Sequence, residues 1–564
     1  MSKLVQQATN DLRAAIVNAM NHAMEKGDLP KVELPEFSIE VPADRAHGDW
    51  ATNAAMAGAR AFHLAPRKIA EIITQNLALE GSFFDRYEIA GPGFINFFLN
   101  THFYTEILKD IKKLGKDYGR SDFGKGERVM VEFVSANPTG PMHMGNARGG
   151  ALGDCLAAVL DAAGYKVWRE FYVNDAGNQI EKFGKSLSAR YLQIFKGEDA
   201  IEFPEDGYHG EDIKDRAQEF ADLNGDRFVN ASEEERSKVL VDYALPRNIT
   251  KMKADLQKYG IVYDEWFLES TLHNDGELTE TIELLKNKGM TYENDGALWY
   301  RATDFGAEKD EVLVRQNGNP TYFAADIAYH RNKFEKRHFD RCIDIWGADH
   351  HGHVARMKGA MSAIGIDENK LDVVLMQLVK LVQGGEVVKM SKRTGKAIQL
   401  ADLLDEVPVD AARFLFNMRE STSQMEFDLD LAIQQDSQNP VYYVQYARAR
   451  ICSILKALAQ DGIQPRDCTD EELSLLTAPE EIELIRHLSA FTNEIITAAQ
   501  DYDPARITRY VITLATLFHK FYNACRVKGD NESLTAARLF LCTTTSTVIC
   551  NVLSMFKISA PETM

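Results

Sequence analysis

The chain has no CxxC pair. Its seven cysteines are scattered and odd in number, which argues against a disulfide scaffold or a thiolate zinc centre and for a reducing compartment. No apolar run approaches the length needed to cross a bilayer. The N-terminus lacks the charged-then-apolar layout of a secretory signal. Leu4, Val5, Ala8, Leu12, Ile16 and Met20 recur there at helical spacing instead, as in an amphipathic helix. Low-complexity tracts and internal repeats are also missing. Positive charge is scarce: 64 Lys and Arg stand against 84 Asp and Glu, a net charge of −20. That total speaks against a nucleic-acid binder, because phosphate neutralisation dominates such affinity. Local patches weigh more than totals. Two are present: Lys389, Lys392, Arg393 and Lys396, and, further on, Arg506, Arg509, His519, Lys520, Arg526 and Lys528. The 564 residues suit three or four domains, and 45% hydrophobic with 26% charged residues is an ordinary globular composition.

Residues 129–160 organise the rest. Val129, Met130, Val131, Phe133 and Val134 make an apolar run short enough for a buried strand. Asn137, Pro138, Gly140 and Pro141 break it. His143, Met144, Gly145 and Asn146 follow, and a small-residue helix begins at once with Ala147, Gly149, Gly150 and Ala151. A strand, a tight turn and a helix N-terminus form an anion site, since free backbone N–H groups and the helix dipole point at the turn. Gly145 lets a ligand approach the backbone closely. A second stretch, Lys389-Met390-Ser391-Lys392-Arg393, lies beyond a Gly384-Gly385 turn. Its three cations and one hydroxyl suit phosphates.

An HxGx turn on the first strand with a distant KMSK resembles the class I aminoacyl-tRNA synthetases. The words VEFVSANPTGPMHMGNARGG and PTYFAADIAYH narrow the resemblance to arginyl-tRNA synthetases of the bacterial type, over nearly the whole chain. It implies a multidomain α/β protein in three parts. Residues 1–118 would be an α+β N-terminal tRNA-binding domain, carrying GDWATN and IAGPGFINF. Residues 119–404 would be a doubly wound parallel-sheet, Rossmann-like catalytic domain with a helical insertion at about 190–285. Residues 405–564 lose the strand signals and would be an all-α anticodon-binding bundle, with Tyr442, Tyr443, Tyr446 and Arg448 as candidates to meet unstacked bases.

The implied reaction activates L-arginine with ATP, as its magnesium salt, and passes the arginyl group to the terminal ribose of tRNA(Arg). Neither step needs a protein nucleophile; both need positioning and charge stabilisation. The resemblance puts His143, Gly145 and Asn146 on the α-phosphate side, and Lys389, Met390, Ser391 and Lys392 on the leaving pyrophosphate. A guanidinium is planar, always charged and bidentate, and calls for carboxylates. The family pattern assigns that contact to Glu132 and Asp326. Ser135 and Asn137 match contacts to the α-amino or carboxylate end, Tyr322 matches an aromatic packing on the substrate, and His350 stands where some relatives place a substrate-contacting glutamine. Asn146 replaces the second histidine of the usual HIGH pattern; it donates a hydrogen bond but brings no positive charge. His350, His351 and His353 beside Asp349 have the look of metal ligands, but no second ligand group accompanies them, and no protein-held metal is expected. A synthetase for glutamate would need cations in the pocket, and one for cysteine would show thiolate zinc ligands. The expected working unit is a cytoplasmic monomer that binds no membrane.

Overall fold

The computed structural model describes residues 3–42, 44, 47–388 and 398–564. The N-terminal module opens with α1 (Lys3–Lys26), which buries Ala8, Leu12, Ile16 and Met20. An antiparallel sheet ordered β1-β2-β4-β3 follows, from β1 (Ile39–Glu40), β2 (Trp50–Thr52), β3 (Phe84–Ala90) and β4 (Phe94–Leu99). Helices α2 (Ala54–Phe62) and α3 (Pro66–Gln75) cross over between β2 and β3. Trp50 belongs to the core, 5.0 Å from the Phe84 ring, while Phe94 on the β3–β4 turn is exposed. α4 (Thr101–Leu114), capped by Asn100 on the Phe103 N–H, leads out of the module.

The central sheet starts with β5 (Arg128–Glu132), whose Val129, Met130 and Val131 are fully buried, as a central parallel strand requires. α5 (Gly145–Ala162), β6 (Lys166–Val173) and α6 (Asn178–Lys196) come next. α7 (Glu211–Asn224) and α8 (Glu233–Lys258) pack on α6 around Phe183, Leu187 and Tyr191. β7 (Glu265–Leu268) returns to the sheet edge. α9 (Glu269–Asn274) and α10 (Glu277–Asn287) lead to a separate antiparallel sheet of β8 (Thr291–Asn294), β9 (Ala297–Tyr300) and β10 (Glu311–Val314). α11 (Tyr322–Arg331) runs into a π-helical turn (Asn332–Lys336), then β11 (Arg341–Gly347), α12 (His351–Ile364) and β12 (Leu371–Met376). The central order is β12-β11-β5-β6-β7, every pairing parallel. The direction in which successive strands are added therefore reverses between β5 and β11, the switch point where doubly wound sheets bind ligands.

β13 (Val379–Gln383) and β14 (Glu386–Val388) precede α13 (Leu400–Glu406) and α14 (Val409–Phe416). β15 (Met425–Asp428) then pairs parallel with β13, and α15 (Leu429–Ile433) follows. The C-terminal bundle comprises α16 (Pro440–Gln460), α17 (Asp470–Leu473), α18 (Pro479–Ser489), α19 (Phe491–Gln500), α20 (Ala505–Ala524) and α21 (Glu532–Met555).

Three expectations need correction. β7 lies inside the stretch read as a helical insertion, and β15 lies inside the stretch read as helical. Each has only four residues, too few for period-two alternation to stand out. Second, α21 is long and apolar enough by composition to cross a membrane, yet its most apolar window is 72% buried in the protein. Third, the C-terminal basic patch is partly neutralised. Arg506 pairs with Glu494, Arg509 with Asp503 and Lys528 with Asp461.

α5 lies close on the sheet because its inner face is nearly bare. A Cβ on Gly153 would overlap the Phe133 ring. Gly153→Ala is expected to destabilise the protein by about 1–3 kcal/mol through overpacking, read as a lower urea midpoint with an unchanged m-value.

Candidate active site at the switch of the central sheet

β5 stops at Glu132, not at Val134. Val134 and Ser135 leave the strand in left-handed backbone, φ 73° and 40°, a strained conformation for a β-branched residue and one characteristic of functional sites. The kink carries the Ser135 hydroxyl back onto Glu132, where it donates to Oε1 at 2.9 Å while accepting from the Tyr172 N–H at 3.1 Å. Asn137 follows, exposed.

His143 is exposed in the turn before α5. The Gly145 N–H donates to His143 Nδ1 at 3.1 Å, so a neutral ring carries its proton on Nε2 and offers it as a donor. The Asn146 N–H donates to the His143 carbonyl at 2.9 Å. Residues 389–397, which include Lys389, Met390, Ser391 and Lys392, lie outside the described residues. The residues immediately after them do not. His143 and Gln399 form an antiparallel bridge: the Met144 N–H donates to Ile398 O at 3.0 Å and the Leu400 N–H to Met142 O at 2.9 Å. One buried side chain strengthens this join. Arg148, one turn into α5, donates to the carbonyls of Gln377 (2.8 Å), Ser423 (3.0 Å) and Glu420 (2.8 Å). These flank β13 and β15, so the platform before the second signature is fastened to the helix of the first.

The acidic side of the site gathers around α11. Asp326 Oδ2 faces His353 Nε2 at 3.2 Å. Tyr322, one turn earlier, accepts from the Gln179 N–H at 3.1 Å. Glu269 accepts from the Tyr172 hydroxyl at 2.8 Å; burial, with Asp326 nearby, raises its carboxyl above the usual range. His350 is exposed, 3.7 Å from Asp349. Within the triple-histidine stretch His353 faces Asp326, and the rings of His350 and His353 both lie beside Trp346, at 6.4 and 5.3 Å.

The register of the sheet adds groups that motif reading missed. Asp344 on β11, Glu132 on β5 and Glu170 on β6 are matched partners across adjacent strands, and all three are buried. Lys333, fully buried in the π-helical turn, donates to Glu132 Oε2 at 2.7 Å and Asp344 Oδ1 at 2.9 Å. Arg337 and the Tyr329 hydroxyl hold Glu170. His330 places Nε2 2.8 Å from Asp344 Oδ2 and Nδ1 2.8 Å from the Asp326 carbonyl. Both partners are acceptors, so only the doubly protonated ring makes both bonds. Burial opposes the charge on Asp344, yet Lys333 and His330 hold its carboxyl down at about 2. Glu132 is different: burial outweighs Lys333 and, with Asp344 adding to it, raises its carboxyl. The signal was present in the sequence as acids interrupting apolar strands, VMVE and CIDIW, which need a partner; nothing there said which cation.

A parallel sheet wound in this order, with an HxGx turn on its first strand bridged to the residues that follow a KMSK, defines the catalytic domain of a class I aminoacyl-tRNA synthetase. The family model "tRNA synthetases class I (R), catalytic domain" matches residues 108–436. "Arginyl tRNA synthetase N terminal domain" matches 7–99, and "DALR anticodon binding domain" matches 444–564. Arginine–tRNA ligases from Caldanaerobacter subterraneus and Acetivibrio thermocellus are 58% and 56% identical, each over the full length of both chains. The fold is shared with Thermus thermophilus arginyl-tRNA synthetase at 21% identity, TM-score 0.72, covering 99% of this chain and 100% of that one. The chain belongs to the arginyl-tRNA synthetase family, and its activity is the ATP-dependent ligation of arginine to tRNA.

Arg148→Met leaves three carbonyls without their donor. The expected loss is about 3 kcal/mol of unfolding free energy, read by urea titration, with a fall in the rate of adenylate formation.

Proposed function

We propose that Asp326 is the principal partner of the arginine guanidinium, with Glu132 offering the remaining acceptor capacity of Oε1. Tyr322 packs along the substrate stem, Ser135 and Asn137 hold its α-amino and carboxylate end, and His350 closes on the site from its exposed position. The arginine carboxylate oxygen attacks the α-phosphorus of ATP and the bond to pyrophosphate breaks. His143 Nε2, the Gly145 backbone and Asn146 stabilise the α-phosphate, and Lys389, Met390, Ser391 and Lys392 hold the departing pyrophosphate. ATP arrives with magnesium on its phosphates. The 2′-hydroxyl of the tRNA terminal ribose then attacks the arginyl carbonyl and AMP leaves. The bridge between His143 and Gln399 carries this reading, because it joins the turn of the first signature to the exit of the second, 256 positions along the sequence.

The domain roles follow the same reading. Residues 1–118 meet the outer corner of tRNA(Arg), with exposed Phe94 as a contact. Residues 119–404 carry out the chemistry, and 405–564 read the anticodon. On that last face Tyr446 is exposed and Arg450 lies 4.8 Å over its ring, while Tyr443 packs near His519 and Arg448 turns to Cys550. Burial, with Arg450 beside it, holds His519 down at about 4, so it serves as a neutral ring surface rather than a cation. The working unit in this reading is a monomer. Seven free cysteines support a reducing cytoplasm.

The test is amino-acid-dependent exchange of pyrophosphate into ATP, with and without tRNA(Arg), over a panel of amino acids. Exchange is expected with arginine alone and only when tRNA is present. Asp326→Asn is expected to raise the KM for arginine about 100-fold, and Lys392→Met to lower the exchange rate about 100-fold. Equal exchange with glutamate or cysteine would refute the assignment of the pocket.

A further inference from the structure

Two carboxylates that face each other across adjacent parallel strands stand about 5 Å apart at the backbone. Buried without a cation, such a pair cannot remain doubly ionised, and one member takes up a proton. Asp344 and Glu132 are such a pair. One of them, Glu132, ends its strand at the arginine pocket; the other is enclosed, with Oδ1 on Lys333 and Oδ2 facing His330. The cation between them comes from a π-helical turn rather than from regular helix. Such turns add one residue to a helix and re-aim the side chains that follow, often at functional sites. Here Lys333 spans both carboxylates while Arg337, four residues on, reaches Glu170.

We infer that Lys333 is a positioning residue for arginine recognition: it cancels Asp344 so that Glu132 stays ionised, with Oε1 turned by Ser135 toward the substrate. The inference rests on Glu132 as a substrate contact. Lys333 touches no substrate atom, since its three donors are enclosed by Glu132, Asp344 and the Tyr329 ring, 4.3 Å from the ammonium. His330 extends the unit to the backbone of Asp326. The two acids of the pocket are thereby held in one hydrogen-bonded frame. Glu132 and Asp344 share the single ammonium of Lys333, and His330 closes on the second oxygen of Asp344, so these contacts are in place before substrate arrives. Arginine then meets a Glu132 whose cation partner is already in place.

The experiment uses the full chain with tRNA(Arg) and measures KM and kcat for arginine and for ATP by pyrophosphate exchange. Lys333→Met is expected to raise the KM for arginine at least about 30-fold, with the KM for ATP changed less than about twofold. The decisive variant is Lys333→Met with Asp344→Asn. Removing the competing acid along with the cation leaves Glu132 without a repelling neighbour, so the KM for arginine is expected to return to within about threefold of the parent. A purely structural role would leave the double variant as impaired as the single one, or worse. If Lys333→Met does not fold, the double variant and Lys333→Arg, expected to retain arginine affinity, carry the test. The inference is overturned if Lys333→Met leaves the arginine KM unchanged, if it raises both KM values equally, or if the double variant stays impaired. Glu132→Gln separates the premises. A raised arginine KM there together with an unchanged one in Lys333→Met refutes the role of Lys333 alone; an unchanged KM in Glu132→Gln refutes the substrate role of Glu132 and the inference with it.

Discussion

Three carboxylates stand side by side across the middle of a buried parallel sheet, and the site depends on their neutralisation. Register fixes Asp344, Glu132 and Glu170 as neighbours, and burial makes each charge costly unless paired. The cations come from a single short segment, Lys333 and Arg337. That segment is the π-helical turn and the residue after it. The carboxyl end of β5, the acids of the pocket and the packing of α11 on the sheet are thus a single electrostatic unit. Replacing one partner would leave the others as uncompensated buried charges, which is worse than having no ion pair at all.

α5 is the mechanical counterpart. Its first turn presents the His143 signature, and Arg148 fastens it to the platform of β13 and β15. Gly153 lets it approach Phe133. On the next position Asp154 meets Arg413, Arg169 and Lys557. Burial opposes ionisation there, yet these three cations hold the Asp154 carboxyl below the usual range. Arg413 also donates to the Phe556 carbonyl at the end of α21. A single helix thus carries the turn of the first signature and meets the base of the C-terminal bundle. The N-terminal module is tied to that bundle separately, through Arg486 with Asp49 and the Tyr118 hydroxyl on Leu488.

The net charge of −20 is compatible with an RNA ligand because charge is arranged rather than summed. Several cations of the C-terminal stretch are spent on neighbouring acids. Tyr446 and Tyr522 lie exposed there, with Arg450 against both rings. Such a surface favours stacking on unpaired bases over phosphate neutralisation.

Much of this was legible in the chain itself. An apolar run broken by Gly and Pro located β5, and the loss of strand signals after residue 404 located the bundle, because strongly patterned stretches carry their own signal. The two signature motifs, with VEFVSANP and YFAADIAYH, carried the family and so the activity. Short elements escaped: β7, β8 and β15 have four residues each and exist because a neighbouring strand pairs with them. The kink at Val134 and Ser135 escaped as well, since sequence gives no sign that a β-branched residue adopts φ 73°. So did the partner of Glu132. A buried acid in a strand announces that a cation is required, but Lys333 lies 201 positions away, and only the register of β5 with β11 and the turn after α11 bring them together. The sequence determined which elements form, which residues must be buried and what chemistry the motifs serve, because those follow from local pattern and side-chain type. Tertiary structure decided which charges meet, because pairing across strands depends on register and distance that no local pattern encodes.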